Sequence, residues 1–247
     1  MKVIFDTQFH MVYAGDPAAA MGRMQAAVSL LPPDVDLIAP EPATPEEIEL
    51  AHTSGHIADV RREGVYDIAA LAAGGAVTAA RIAMEEPCFA LIRPPGHHAS
   101  ADTAWGFCYF NNMAIALLCL KTENLIHSAL VLDIDLHYGD GTVNILGDRD
   151  WVHIHNPAKN RRQEYLNDVE AVLSHHKVDM IGVSAGFDHH RQDWGGLLET
   201  EDYQEIGRMV RAAARKNRGG CYGVFEGGYN HQVLGRNVAA FISGMAE

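Results

Sequence analysis

Short apolar runs rich in Val, Ile and Leu recur along the chain, separated by segments whose apolar residues fall at helical spacing. Strands covered on both faces lose the apolar/polar alternation of half-exposed ones, so this pattern predicts βαβ units around a buried, mostly parallel sheet. Strands are expected over Lys2–Phe5, Asp36–Ala39, Cys88–Ile92, Ala129–Asp133, Val152–His155, Met180–Ser184 and Cys221–Phe225. Between them, helix starts are marked by Asp16-Pro17 before AAAMGRMQAAVSLL and by Thr44-Pro45-Glu46-Glu47, which combines a capping box with proline at the first helical position. Thr200 is expected to cap EDYQEIGRMVRAAARK in the same way. The alanine-rich stretch Asp67–Met84 predicts a further helix, in which Gly74-Gly75 marks close packing rather than a break. No repeat, low-complexity tract or linker interrupts the pattern. The expected architecture is α/β: one three-layer domain over residues 1–247, with a mostly parallel central sheet flanked by helices.

Composition agrees with this. A chain of 247 residues, 48% hydrophobic and 21% charged, carries apolar material for one sizeable core. No apolar run reaches the roughly 18 residues of a membrane span. The start, MKVIFDTQFHMVYAGD, lacks the long apolar stretch of a secretion signal, so a soluble, cytoplasmic protein with no membrane partner is expected. Cys88, Cys108, Cys119 and Cys221 show no CxxC spacing and read as packed thiols. The formal charge of −13 disfavours nucleic-acid partners and is compatible with a cationic one.

Four segments place unusual polar residues directly after a predicted strand: RPPGHHAS, LDIDLHYGDGT, VSAGFDHH and VFEGGYN. In an open parallel sheet the carboxyl ends of the strands share one edge, where loops form the ligand crevice. His97, His98, Asp133, Asp135, His137, Asp140, Asp188 and Tyr229 are therefore expected to meet in space. Singly, an Asp after a strand is more often a turn or capping residue; jointly, convergence changes that weighting. If the strand continues, Asp133, Asp135 and His137 alternate at period two and point to one face, a set able to hold zinc given one more ligand. His189-His190 reads as a solvent-exposed loop, and His175-His176 as a helix end, where cations are favoured by the dipole.

RPPGHHA, GFCYFNN, the Asp-Ile-Asp-Leu-His run with Gly-Asp-Gly-Thr, VSAGFD and EGGYN together resemble the ordered motifs of the histone deacetylase superfamily, which includes acetylpolyamine amidohydrolases. The resemblance implies an arginase/deacetylase-like fold and metal-dependent hydrolysis of an N-acyl amide. It makes Asp135, His137 and Asp188 the zinc ligands, and His97 and His98 a tandem pair whose rings are held by Asp133 and Asp140. It gives Tyr229 the oxyanion of the reacting carbonyl, and lines the substrate channel with Phe107, between Gly106 and Gly228. It also implies a structural potassium ion held by oxygens of Asp133, Asp135 and His137, with main-chain help from His153 and Ile154. Iron(II) fits similar Asp/His sets, so the metal stays open between zinc and iron.

Departures from the family pattern lie at the rim. The usual His-Pro-Glu start is Tyr-Ala-Gly-Asp-Pro here, with Arg23 in the helix that follows, and the loop between His56 and Gly64 is very short. NPAKNRRQEYL leads from His155 straight into a helix without the usual aromatic segment, and DWGGL offers Gly195 where relatives place a bulky channel residue. A pocket wide and shallow on one side is expected, or one completed by a second copy in a homo-oligomer. The implied substrates are a small acetylated amine or acetyl-lysine. Two other readings stand beside this one: a metal-containing acyl-amine binding module without turnover, and an arginase-like binuclear hydrolase, which calls for bridging carboxylates not evident in Asp-Leu-His-Tyr-Gly-Asp.

Overall fold

A computed structural model describes all residues, 1–247. Seven strands form one sheet: β1 (Lys2–Ile4), β2 (Asp36–Ile38), β3 (Cys88–Ala90), β4 (Ala129–Asp133), β5 (Val152–His155), β6 (Met180–Ala185) and β7 (Gly220–Phe225). Their order is β2-β1-β3-β7-β6-β4-β5, and every pairing is parallel. Strands β3, β4, β6 and β7 are buried along their whole length, which accounts for their unbroken apolar runs.

Nine helices connect them: α1 (Arg23–Val28), α2 (Pro45–Glu49), α3 (Ser54–Arg62), α4 (Tyr66–Ile82), α5 (Asn112–Thr122), α6 (Asp140–Leu146), α7 (Arg162–His175), α8 (Thr200–Asn217) and α9 (His231–Ala246). Helix α4 packs on α5, while α8 packs on α7 and α9, and α9 on α1. The result is the three-layer α/β arrangement. A side chain at Gly74 would place its Cβ 2.0 Å from the Glu41 carbonyl, so α4 packs tightly there and does not break. All four cysteines are buried and unpaired. No helix is long and apolar enough to cross a membrane.

Several local expectations are corrected. Helix α1 starts at Arg23 rather than after Pro17: Asp16 Oδ1 accepts from the Ala19 amide at 2.8 Å, and the chain turns until Gly22, at φ +86°. The cap of α8 is Glu199, reciprocally bonded with Asp202, and not Thr200, whose hydroxyl turns to Asn237. The stretch between His56 and Gly64 lies mostly within α3 and is no loop. His189 and His190 are buried, His189 against the ring of Tyr165, because the segment doubles back to bridge His190 with Leu198.

Candidate active site

The four motif-bearing segments leave β3, β7, β6 and β4, which are consecutive neighbours in the middle of the sheet. Their loops therefore share one edge, where His97 and His98, Tyr229, Asp188, and the Asp133–Asp140 turn come together. Strand β4 ends at Asp133, so the period-two expectation for Asp135 and His137 fails as a strand argument. The turn keeps them together by another route. Asp133 Oδ1 accepts from the Asp135 amide at 3.1 Å, and Asp135 Oδ1 accepts from the His137 amide at 2.9 Å. Each side chain thus caps the backbone two residues on.

Asp135, His137 and Asp188 each offer a ligand atom, all within 4.8 Å of one another. His137 Nδ1 lies 3.1 Å from Asp135 Oδ1 and 3.2 Å from Asp188 Oδ2. On protein groups alone, the hydrogen bond to Asp135 and the closeness of the Asp188 carboxylate push the His137 imidazole up to about 10, while burial and the Asp135 charge push Asp188 up to about 7. Asp188 Oδ2 is buried with no hydrogen-bond partner, although Oδ1 accepts from the Leu136 amide at 3.0 Å. Two buried carboxylates, one with an unpartnered oxygen, converge on one imidazole, and a divalent cation satisfies this set better than a shared proton does.

Beside the triad, His97 Nδ1 is 3.0 Å from Asp133 Oδ2, and His98 Nδ1 is 2.7 Å from Asp140 Oδ1. The two rings lie 4.0 Å apart but sit in different fields. Burial works against charge on His97, yet Asp133 and Asp135 hold it well above the usual histidine value. Burial and the charge of His97 bring His98 down to about 4. Tyr229 reaches the same space with its phenol raised by burial, so it stays protonated. Its loop is pinned by Asp193 Oδ2, which accepts from the Tyr229 and Asn230 amides at 2.8 Å each. Gly228, at φ +116°, turns this loop, and its carbonyl accepts from Arg23 Nε at 2.8 Å. Arg23 is wholly buried under the Phe225 and Tyr229 rings.

Phe107, at φ +67°, meets the Tyr229 ring edge-on at 6.0 Å. A non-glycine residue in the left-handed region is strained, and here the strain aims a ring across the site. Gly106 precedes it at φ +59°, and a Cβ there would stand 2.4 Å from His98 Cδ2. His153 and Ile154 lie on β5 in register with Leu130 and Val131, and the imidazole of His153 turns outward to meet the tilted ring of His176 at 3.8 Å.

Three contributors carried no clear sequence signal. Glu226 is fully buried beneath the tandem histidines; its Oε2 accepts from the Gly96 amide at 2.7 Å, its Oε1 has no partner, and burial pushes it up to about 7. Trp105 lies over His98 at 3.9 Å and donates its indole N–H to Asp140 Oδ2 at 2.8 Å. Trp194 stacks on Tyr229 at 4.0 Å and meets His137 edge-on at 6.0 Å. The channel-side bulk expected to be missing at Gly195 is therefore supplied by its neighbour. Gly195 itself faces the protein, where a Cβ would come within 2.8 Å of His189. On the Asn156–Asn160 side the rim is open, with a cleft of about 230 Å³ reaching from His137 to Lys159.

An all-parallel three-layer α/β fold gathers Asp135, His137 and Asp188 at the strand ends, a candidate cation site on the sheet edge. The profile of the histone deacetylase domain family matches residues 18–165 and 154–245, and the chain belongs to that family. A probable deacetylase of Methanothermobacter thermautotrophicus is 35% identical over 219 residues, covering 73% of this chain and 65% of that protein. A histone deacetylase-like amidohydrolase of Pseudomonas aeruginosa is 30% identical over 212 residues, covering 69% of this chain and 56% of the relative. The chain thus spans less than two thirds of the length of these curated relatives. The crystal structure of the HDA15 HD domain superposes with a TM-score of 0.83 at 24% identity, over 98% of this chain and 88% of that one.

Proposed function

We propose that the protein is a metal-dependent deacetylase that hydrolyses an N-acyl amide on a flexible amine, releasing acetate. The observation that carries this reading is the convergence of Asp135, His137 and the unpartnered Asp188 Oδ2 beside two histidines in unlike electrostatic settings. Relatives named deacetylase and amidohydrolase support it.

Asp135, His137 and Asp188 hold the ion, for which zinc suits the donor set and iron(II) is the alternative. A divalent ion there supplies polarisation of the amide carbonyl and a lowered pKa for water. The protein's own groups then divide the proton work. His98 donates its Nδ1–H to Asp140, which leaves Nε2 as an acceptor, and its depressed pKa keeps that acceptor neutral near pH 7. It takes a proton from the attacking water and returns it to the leaving nitrogen. His97, kept cationic by Asp133 and Asp135, supplies fixed positive charge to the developing oxyanion. Tyr229 donates its hydroxyl to the same oxygen. Arginase-like chemistry is disfavoured because the cluster has three members, Asp135, His137 and Asp188, without the further carboxylates that bridge a second ion. A potassium ion on oxygens of Asp133, Asp135 and His137 would further brace the turn.

The substrate reading is a small acetylated amine at least as readily as an acetylated peptide. The open side beside Lys159 gives remote parts of a large substrate little to press against, while the acidic protein attracts cationic amines. A turnover screen with acetyl-lysine peptides, acetylated polyamines and longer acyl groups, run beside metal analysis, tests it. Acetate release from small amines by metal-loaded protein is expected. Turnover confined to one folded acetylated protein would overturn the substrate reading, and a metal-loaded protein that binds acyl amines without releasing acetate would make it a binding module.

A further inference from the structure

At the opposite edge of the sheet, where β4, β5 and β6 begin, lies a cleft of about 690 Å³. Lys121, Arg149 and Lys177 line it with His127, His153 and His176, and Asp150 is its one acidic residue. In a chain of formal charge −13 this is an inverted local balance. None of the three cations forms an ion pair; Lys121 Nζ donates to the His127 carbonyl at 3.3 Å and lies 5.2 Å from the Trp151 ring. The lining is also rich in free donors: the amides of Asp150, Trp151, Lys177 and Val178 make no hydrogen bond within the chain. The rings of His153 and His176 stand 3.8 Å apart, with His175 4.9 Å from His176.

Cations without carboxylate partners, unused amides and crowded imidazoles describe a surface short of negative charge. We propose that this cleft is a second, non-catalytic site that binds a small, multiply charged anion bearing phosphate or carboxylate groups. The bound charge pairs with Lys121, Arg149 and Lys177 and accepts from the free amides. It is separate from the metal triad, which stands at the other ends of the same strands.

Isothermal titration of the metal-loaded full chain with pyrophosphate and with citrate at pH 7.5 tests the site. One anion per chain is expected; a response to pyrophosphate alone identifies phosphate, and to citrate alone carboxylate, as the recognised group. In the double charge reversal Arg149→Glu/Lys177→Glu affinity should fall by more than about tenfold, since each cation contributes a charge-assisted bond. Circular dichroism and deacetylation should be unchanged in that variant; if it does not fold, Lys121→Met takes its place. Because both anions also chelate metals, Asp188→Ala serves as the control and should keep the binding. Binding of neither anion, binding untouched by the charge reversals, or binding lost in Asp188→Ala would overturn the proposal.

Discussion

At the floor of the site, His97, Asp133, Asp135, Asp188 and Glu226 are sealed from solvent and pressed against glycine main chain. At the rim, Trp105, Trp194 and Tyr138 stand 55%, 53% and 59% exposed on loops. A Cβ at Gly139 or Gly186 would fall 2.1 Å from a carboxylate oxygen of Asp133 or Asp135, so the floor tolerates no added atom. The rim has no such constraint. Trp194 occupies space that Gly195 was expected to leave empty, and the Asn156–Asn160 side is open. The difference teaches that the reacting geometry is set by close packing between neighbouring strand ends. The shape of the entrance rests on a few side chains free to change without disturbing that packing.

The largest effect should come from the floor. Asp188→Ala should abolish both stoichiometric metal, read by elemental analysis, and turnover; metal retained in the variant would reassign the ligand set. Tyr229→Phe should keep metal and fold while lowering kcat about a hundredfold to a thousandfold, with KM little changed. A rate within severalfold of the parent would take Tyr229 out of the oxyanion role.

Gly106→Ala drives a Cβ into the ring of His98, and displacing a reacting group by about 1 Å costs on the order of a hundredfold in rate. Gly64→Ala is its control: φ is +75° with nothing within 4 Å, so it should cost about 1 kcal/mol of stability and leave the rate alone. Equal rate losses in both would show that backbone strain, and not the histidine contact, matters.

Glu226 makes a pH-dependent prediction. Its carboxyl is raised to about 7 by burial, so the fold favours the protonated form. That contribution is complete below the ordinary carboxylate range and is lost as pH rises through 7. Glu226→Gln lacks the loss, so relative to the parent it should gain on the order of 2 kcal/mol between pH 4.5 and 8 in urea titrations. A constant difference across that range would mean that Glu226 does not titrate there. Smallest of all, Trp105→Phe keeps the ring over His98 but removes the indole bond to Asp140. It should lower turnover about threefold to tenfold, and no change would leave Trp105 as wall alone.

Much of the floor was legible in the sequence because its residues follow apolar runs directly, and a run followed by His-His, Asp-x-Asp-x-His or Gly-Phe-Asp announces a loop at a strand end. Thr44 and its capping box were equally readable, being entirely local. The misreadings share one cause. Thr200 lost the cap to Glu199 because Asp202 reciprocates with Glu199, and His189-His190 is buried because the chain folds back beneath Leu198. Gly195 faces His189 where a channel residue was expected. In each case a contact set the outcome that the local pattern does not encode.

By itself the sequence determined the succession of strands and helices and the candidate residues for holding a metal and moving protons, because periodicity, capping and ligand chemistry are properties of short segments. The tertiary structure alone decided that β3, β7, β6 and β4 are neighbours, since strand order depends on pairings far apart in the chain. It also placed Glu226 beneath the tandem histidines and Trp105 on Asp140, and gathered Lys121, Arg149 and Lys177 around one cleft at the far edge of the sheet. Buried charge, stacking and local field arise only once distant segments exclude water together, and no window of sequence contains that information.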